Sequence, residues 1–395
     1  MNKKFNLIVF LIICTLNSLK EAIGLPSSFG SLLTLLVILP SMYYCELVHK
    51  KWKLNSYLKG LDIFLLVVTV YGVLSILEGR NLKTEADNSV VSYKFLLIHY
   101  LSLLPIYLFY YYGRLGLITD KIIKTVFLIF FLVGVFNYMA NNMRVSDLKE
   151  ADNVVNNMSY SFVSLIPTLF LAKWKDWIKF TFVIILFMIV LFGMKRGAIL
   201  IAGVLLVLYI YRQSKIMIRR NIGKVTILVG AMLFVIIRYF FYLYNTNLFF
   251  QYRVIETIEG NSSGRDEIYL NYFNYFWNGT TPINFLFGQG AFATVEIFGQ
   301  YAHNDWLEIA INMGVIGVFF YLLYWIYFYK EWKSFHKGIV KDVFLGVLIA
   351  FLLRSLFSMS IYSVSFDVAL CIGYCLAYKS SNSYKEIVSL KKQKL

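Results

Sequence analysis

The chain has 395 residues, of which 59% are hydrophobic, 18% aromatic and only 15% charged, and its mean hydropathy is +0.65. Soluble domains carry about 25% charged residues, so this composition indicates an integral membrane protein and excludes a sizeable soluble enzyme domain. The formal net charge of +16 does not indicate nucleic-acid binding, because the basic residues stand between apolar segments, where they report membrane topology.

Twelve apolar segments predict an all-α membrane protein of about twelve transmembrane helices, a single polytopic domain over residues 1–395. A span needs about 20 apolar residues. The first segment follows Lys3 and Lys4 without a small-residue cleavage site after it, so we expect a retained helix rather than a signal peptide. The others lie near residues 27–45, 61–77, 95–112, 125–140, 158–172, 177–194, 197–211, 222–243, 306–329, 342–357 and 360–378.

The placement of charge predicts cytoplasmic N- and C-termini. With the N-terminus inside, the inner segments hold most of the 38 Lys and Arg residues, whereas most of the 22 acidic residues lie outside. This is the positive-inside pattern. No convincing similarity relates the two halves of the chain, which disfavours a transporter built from inverted repeats.

The four cysteines lie in or beside apolar segments and show no CxxC pair or ligand spacing: Cys14, Cys45, Cys371 and Cys375. We expect small buried hydrophobic side chains and predict no disulfide framework and no metal site. The sequence also predicts no cofactor.

Two predicted outer segments are unusually long, residues 139–157 and residues 245–304. A loop as long as the second is usually functional or disordered, and its apolar content argues against disorder. We therefore expect it, between spans 9 and 10, to fold over the outer mouth of the bundle. Its aromatic stretch from Tyr269 to Trp277 would stack on sugar rings or form an interfacial aromatic belt.

Two predicted outer positions place cations close to the membrane. Lys195 and Arg196 form a tight hairpin between apolar segments, where Lys195 fits a snorkelling side chain. For Arg196 an anionic partner and a structural role are equally supported, since an arginine at mid-membrane costs about 2.5–3.5 kcal/mol. Arg265 follows a Gly/Ser turn at the start of a predicted helix, where it either binds an anion with the helix N-terminus or pairs with a nearby acid, Asp266, Glu267 or Glu256.

The loop re-enters the membrane at His303. Glu308 is five positions later and about 140° round a helix, and Leu307 occupies the position that would share the face of His303. A zinc-protease helix is thereby disfavoured, while a structural role and a metal-free general base with a pKa near 6.5 both stay open. Arg354 and Asp367, in the last two spans, favour an internal ion pair.

The motif Tyr301-Ala302-His303-Asn304-Asp305-Trp306-Leu307-Glu308, followed by Gly314-Val315-Ile316-Gly317 and an apolar helix, resembles the signature of the bacterial O-antigen polymerase and O-antigen ligase superfamily. Gly264-Arg265-Asp266, Gly288-Gln289-Gly290 and Lys195-Arg196-Gly197 are similar to its other landmarks. The resemblance covers about residues 195–330, and the first 190 residues match only in hydropathy. By itself Gly288-Gln289-Gly290 predicts a turn rather than a nucleotide-binding fingerprint.

The resemblance implies a metal-independent glycosyltransferase of the bacterial inner membrane, acting at the periplasmic face on a glycan linked through diphosphate to undecaprenol. Arg196 and Arg265 would hold the diphosphate by bidentate bonds and stabilise its growing charge. His303 would accept the proton of an acceptor sugar hydroxyl. Further candidates for binding or orienting the substrate are Asp305, Glu308 and Arg354.

Polymerase and ligase share this donor chemistry and differ in acceptor, which is another lipid-linked repeat unit or lipid A-core. The Tyr-Ala-His-Asn-Asp form and the abundance of Tyr and Phe resemble polymerases from O-antigen or capsule clusters, so polymerase is the favoured interpretation and ligase the alternative. The expected partners are the lipid-linked donor and acceptor, membrane lipid and a polysaccharide chain-length regulator. A glycan or lipid transporter and a non-catalytic glycan-binding scaffold are the competing classes, but a transporter should place its charges near the midplane.

Overall fold

The computed structural model describes residues 3–78, 81–82, 90–91, 93–146, 155–217, 222–260 and 264–393, and almost all of them are helical. Two short strands, β1 (Asn81–Leu82) and β2 (Val90–Val91), pair antiparallel. The α-helices in these ranges are α1 (Lys3–Leu19), α2 (Ser27–Lys51), α3 (Ser56–Leu77), α4 (Tyr93–Leu103), α5 (Pro105–Arg114), α6 (Asp120–Ser146), α7 (Ser159–Leu171), α8 (Asp176–Phe192), α9 (Arg196–Met217), α10 (Ile222–Thr246), α11 (Leu248–Ile258), α12 (Arg265–Asn274), α13 (Pro282–Phe287), α14 (Ala293–Phe298), α15 (Asp305–Lys333), α16 (Ile339–Phe357) and α17 (Phe366–Gln393).

Each predicted apolar segment coincides with a helix or a pair of helices, which confirms an all-α, membrane-embedded architecture. Among the described residues, six helical stretches are long and apolar enough to cross a membrane by length and composition, and the total of twelve spans stays a prediction. The six are Ser27–Lys51, Ser56–Leu77, Tyr93–Arg114, Asp120–Met143, Val229–Thr246 and Asp305–Lys333.

One predicted span, residues 95–112, is divided into α4 and α5. The break falls at Leu104, directly before Pro105, which occupies the first turn of α5. Proline has no backbone N–H and fits that position, so the sequence itself explains the break.

Helix α3 packs along α15, and α5 packs along α17. The second pair approaches closely because α17 carries Gly373, where an added Cβ would lie 2.7 Å from the backbone nitrogen of Tyr110. Small residues allow such contacts between membrane helices. At the first pair, the buried hydroxyls of Tyr57 and Tyr324 are 3.0 Å apart.

The predicted long loop, residues 245–304, is folded in its described part, residues 245–260 and 264–304, into α11 to α14 and a π-helical turn, Tyr275–Gly279. Its own small core surrounds Tyr272, Phe276 and Ala302. The other predicted long segment, residues 139–157, is described only to residue 146 and from residue 155.

Candidate functional site

Four cations gather where α9, α11 and α12 begin or meet. Arg196, the first residue of α9, forms a short ion pair with Glu256 of α11. Arg253, one turn earlier on α11, lies 3.1 Å from the same carboxylate oxygen. Lys195 and Arg265 are close enough for their charges to interact.

Burial, followed by the positive charges of Arg265 and Arg253, lowers the pKa of Lys195 to about 8. The same effects lower the pKa of Arg253, with burial first and the charge of Arg196 second. A like charge nearby disfavours protonation, so the cluster concentrates more positive charge than Glu256 alone neutralises. Such a cluster favours an anion.

Helix α11 is amphipathic, but it exposes its apolar face and buries a charged side chain, whereas a helix of a soluble protein does the opposite. Its outer face carries Leu248, Tyr252, Ile255 and Ile258, whose exposed fractions are 84%, 56%, 40% and 81%. Glu256, by contrast, is buried against the arginines. The apolar face is therefore suited to lipid, and the charged flank turns towards α9.

Arg265 stands at the first position of α12, after Gly264 with φ of 75°. Its guanidinium donates a hydrogen bond of 2.8 Å to the carbonyl oxygen of Phe357, the last residue of α16. The side chain is thus held by a helix C-terminus, rather than by the neighbouring acids of its own helix that the sequence offered as partners.

His303 lies in the left-handed region, with φ of 52°. Its carbonyl oxygen accepts a hydrogen bond of 3.3 Å from the hydroxyl of Tyr269, and the next residue, Asn304, caps α15 by accepting from two backbone amides. Strained backbone of this kind clusters at functional sites. The exposed imidazole is left available at the end of the loop.

Partial removal from solvent, followed by the charges of Arg265 and Lys195, lowers the pKa of His303 from its ordinary value of 6.5. A lowered pKa keeps the imidazole neutral and able to accept a proton at neutral pH. The structure therefore brings three residues into one electrostatic environment: Lys195, Arg265 and His303.

The two acidic candidates of α15 are fully buried. Asp305 accepts hydrogen bonds from the backbone amide and hydroxyl of Ser360 and from the hydroxyl of Tyr321. Glu308 accepts from Thr294, from the Asn312 side chain at 3.1 Å and from the backbone amide of residue 302 at 3.0 Å. Both carboxyls therefore hold the chain on either side of His303, and a direct role in substrate binding stays a prediction.

Arg354 does not pair with Asp367 among the described side chains, so that expectation is wrong. Its guanidinium donates to the carbonyl and hydroxyl of Ser363, at 3.2 and 2.6 Å, and lies 4.8 Å from the ring of Tyr160. Asp367 instead accepts from Ser164 at 3.3 Å. The sequence could not reveal this, because a turn between the two helices supplies closer acceptors for Arg354.

The segment Gly288-Gln289-Gly290 crosses α15 at a break in that helix. Gly314 has φ of 67° and ψ of −167°, and a Cβ there would lie 2.4 Å from the carbonyl oxygen of Leu286. Gln289 and Gly290 donate to the carbonyls of Ile311 and Asn312, which lose their helical partners at such a break. The glycines thus serve a backbone crossing, consistent with the predicted turn.

The aromatic stretch of the loop is divided between two roles. Tyr272 and Phe276 are buried in the core of the loop. Phe273 and Trp277 are exposed and stack on each other, with ring centroids 6.0 Å apart. The second pair is the more exposed and is available for a sugar ring or for the membrane interface, while Tyr269 and Tyr275 are half-buried.

Arg253 is not among the site residues that the sequence predicts, and Glu256 is among them only as a partner of Arg265. Their spacing of three residues was the available signal, because it places them on one flank of a helix. The apolar stripe on the other side of α11 would have indicated which flank turns inward.

One comparison with known proteins gives a match, to a family model. The family model described as O-antigen ligase matches residues 180–322, the segment that contains Arg196, Arg265 and His303. This match supports the resemblance to the O-antigen polymerase and ligase superfamily, whose members are membrane enzymes. Neither the curated proteins nor the solved structures give a significant match to the chain.

Proposed function

We propose that this protein is a membrane glycosyltransferase that joins undecaprenyl-diphosphate-linked repeat units, as an O-antigen or related polysaccharide polymerase. The observation that carries the proposal is the group of four cations, Lys195, Arg196, Arg253 and Arg265, beside a histidine whose pKa is lowered. The family match supports the same class.

The proposed reaction transfers a glycan from diphosphate to a sugar hydroxyl. The hydroxyl oxygen of the acceptor attacks the anomeric carbon of the donor, and the bond from that carbon to the phosphate oxygen breaks. The proton passes to His303, and undecaprenyl diphosphate leaves with the bonding electrons. This sequence needs one base and one stabilised leaving group.

The arginines support the leaving group. A guanidinium binds two phosphate oxygens with parallel charge-assisted bonds, and charge held more strongly in the transition state than in the ground state raises the rate. Arg196 and Arg265 are the proposed diphosphate ligands, and Arg253 joins them. The resemblance implies that this chemistry is metal-independent.

The predicted membrane topology indicates which side of the membrane the proposed site faces. On the positive-inside assignment the site faces the periplasm, and both termini lie in the cytoplasm. The exposed apolar stripe of α11 beside the arginines suits a carrier whose tail stays in the membrane while its diphosphate is bound at the interface.

The ligase is the second candidate, because the matching family model carries that description. The two activities give different products in a deletion strain. Loss of a polymerase leaves a single repeat unit on lipid A-core, whereas loss of a ligase leaves polymer on its lipid carrier. A gel of the glycans separates the two patterns.

The test is complementation of that strain at matched membrane levels of protein. We expect Arg196→Ala, Arg265→Ala and His303→Ala each to lower ladder formation about a hundredfold or more. Arg212→Ala and His336→Ala are the controls, since Arg212 pairs with Asp342 and His336 is exposed, both on the predicted opposite side. Full ladders from all three site variants would contradict the catalytic assignment of these residues and favour a transporter or scaffold.

A further inference from the structure

Outside the candidate site, three side chains with metal-binding atoms converge between α2 and α3. Cys45 and His49 are four residues apart on α2 and share a face, and Asp62 projects from α3. His49 Nε2 lies 3.0 Å from Asp62 Oδ2, and Cys45 Sγ lies 3.7 Å from His49 Nδ1. One ligand atom from each residue lies within 4.8 Å of the other two.

Other groups already orient these side chains. His49 Nδ1 lies 2.8 Å from the backbone carbonyl oxygen of Cys45, and the hydroxyl of Tyr107 donates to the second oxygen of Asp62. A histidine that binds a metal typically donates its other nitrogen to a carbonyl, and its carboxylate neighbours are themselves hydrogen-bonded. The arrangement therefore has outer partners as well as ligands.

We propose that Cys45, His49 and Asp62 bind one Zn²⁺ ion, with water in the fourth position. Thiolate, imidazole and carboxylate are zinc ligands with bonds of about 2.0–2.3 Å. Tetrahedral angles then place ligand atoms about 3.3–3.7 Å apart. With Nδ1 turned to the carbonyl, Nε2 is the ligand atom of His49, and it lies 3.0 Å from Asp62 Oδ2, while the three ligand atoms lie within 4.8 Å of one another. Binding releases the proton of the Cys45 thiol and fastens α2 to α3.

The site is remote from the proposed transferase chemistry. Asp62 and Ser75 are thirteen residues apart on α3, which corresponds to about 20 Å, and it is Ser75 that accepts from the loop at Ala291. The ion therefore links α2 to α3 and takes no part in glycan transfer. Ligand spacing along the chain did not predict it, since the third ligand comes from a different helix.

The experiment uses the full-length protein in detergent after treatment with a chelator. Co²⁺ is added as a spectroscopic probe, and the thiolate-to-cobalt absorption is titrated. Zn²⁺ is then added in competition, and the melting temperature is recorded with and without it. The variants are Cys45→Ser, His49→Ala and Asp62→Asn, and His336→Ala is the matched control.

We expect the wild type and His336→Ala to bind one Co²⁺ per chain, to exchange it for Zn²⁺ and to melt at a higher temperature with Zn²⁺. Each ligand variant should lose affinity at least tenfold while eluting as the same species in size-exclusion chromatography. Asp62→Asn keeps the shape of the side chain and tests the charge alone. Absence of thiolate absorption in the wild type, or equal binding by wild type and Cys45→Ser, would overturn the proposal.

Discussion

Glu256 is the residue that balances the cation cluster, and it occupies the place that a diphosphate would take on the proposed function. Its carboxylate contacts both Arg196 and Arg253 and is only 7% exposed. Binding of a diphosphate must then displace a charge-assisted interaction worth about 1.5–3 kcal/mol. On the proposed function, the acid would therefore oppose substrate binding and favour product release.

We expect Glu256→Gln to tighten binding of undecaprenyl diphosphate by about tenfold, which corresponds to about 1.4 kcal/mol. Glu259→Gln, which makes the same change at an exposed position one turn away, should leave affinity unchanged. Titration of the purified variants with the lipid measures both. Weaker binding by Glu256→Gln alone would show that the carboxylate organises the arginines rather than competing with substrate.

The pKa of His303 makes the activity depend on pH. A base must be unprotonated, so the rate should rise as pH increases through the lowered pKa of His303 and then level off. Lys195→Gln removes one of the positive charges that lower this pKa, so the pKa rises and the acidic limb of the profile moves to higher pH. Rates between pH 5 and 8 test this.

Lys330→Gln is the control for that profile, since Lys330 is exposed at the far end of α15. It removes the same charge without changing the surroundings of His303. An acidic limb that stays in place in Lys195→Gln would argue against His303 as the base.

At the scale of elements, the break in α15 is what allows the loop of residues 245–304 to reach the candidate site around His303. Gly314 adopts φ and ψ values that are essentially restricted to glycine, and its backbone contacts that of Leu286 and Gly288. The segment between the helix start and this break carries Asp305 and Glu308, whose hydrogen bonds fix the chain around His303. The short first part of α15 thus holds the chain around His303, and the remainder belongs to a helix that is long and apolar enough to cross a membrane.

Gly314→Ala should destabilise the protein by about 1–3 kcal/mol from backbone strain alone. A steric contact adds to this, because the new Cβ would lie 2.4 Å from the carbonyl oxygen of Leu286. Gly203→Ala is the matched control, since a Cβ at this position in α9 has nothing within 4 Å and alanine favours a helix by about 1 kcal/mol. Melting temperatures in detergent should fall for the first variant and hold or rise for the second. Equal melting temperatures would contradict the proposed role of the break.

At the scale of the whole molecule, the positive-inside assignment predicts which surface faces the periplasm. Glu267 of α12 and Lys337, between α15 and α16, are both exposed and should lie on opposite sides of the membrane. We expect Glu267→Cys, in a Cys45→Ser background, to react with a maleimide that does not cross the inner membrane, in cells whose outer surface is permeable to that reagent. A cysteine at position 337 should react only after the inner membrane is opened.

Labelling of both positions in intact cells, or of position 337 alone, would contradict the predicted topology. Labelling of position 337 alone would also move the proposed site to the cytoplasmic face. The labelled fraction is read on a gel, with total cysteine labelling after lysis as the reference.

Much of the architecture could be read from the sequence, since apolar segments, proline positions and charge placement act through local physics. The break at Pro105 and the helical nature of the apolar segments are examples. Arg196, Arg265 and His303 could be singled out because charged groups near a membrane are costly. The partners of Arg265 and Arg196 could not be singled out in this way, because Phe357 and Glu256 lie 92 and 60 positions away from them in the chain.

The amino-acid sequence is sufficient to predict that this protein is apolar and helical, that its charges collect at helix ends, and that the segment around His303 resembles a known superfamily. Hydropathy and motif order depend on neighbours in the chain, so they survive without a fold. Three contacts depend on the packing of the folded chain: the ion pair of Glu256 with Arg196, the bonds of Arg354 to Ser363 instead of Asp367, and the approach of Cys45 and His49 to Asp62. Each of them joins a helix to another helix or to the turn between two helices, and packing rather than local sequence selects which side chains meet.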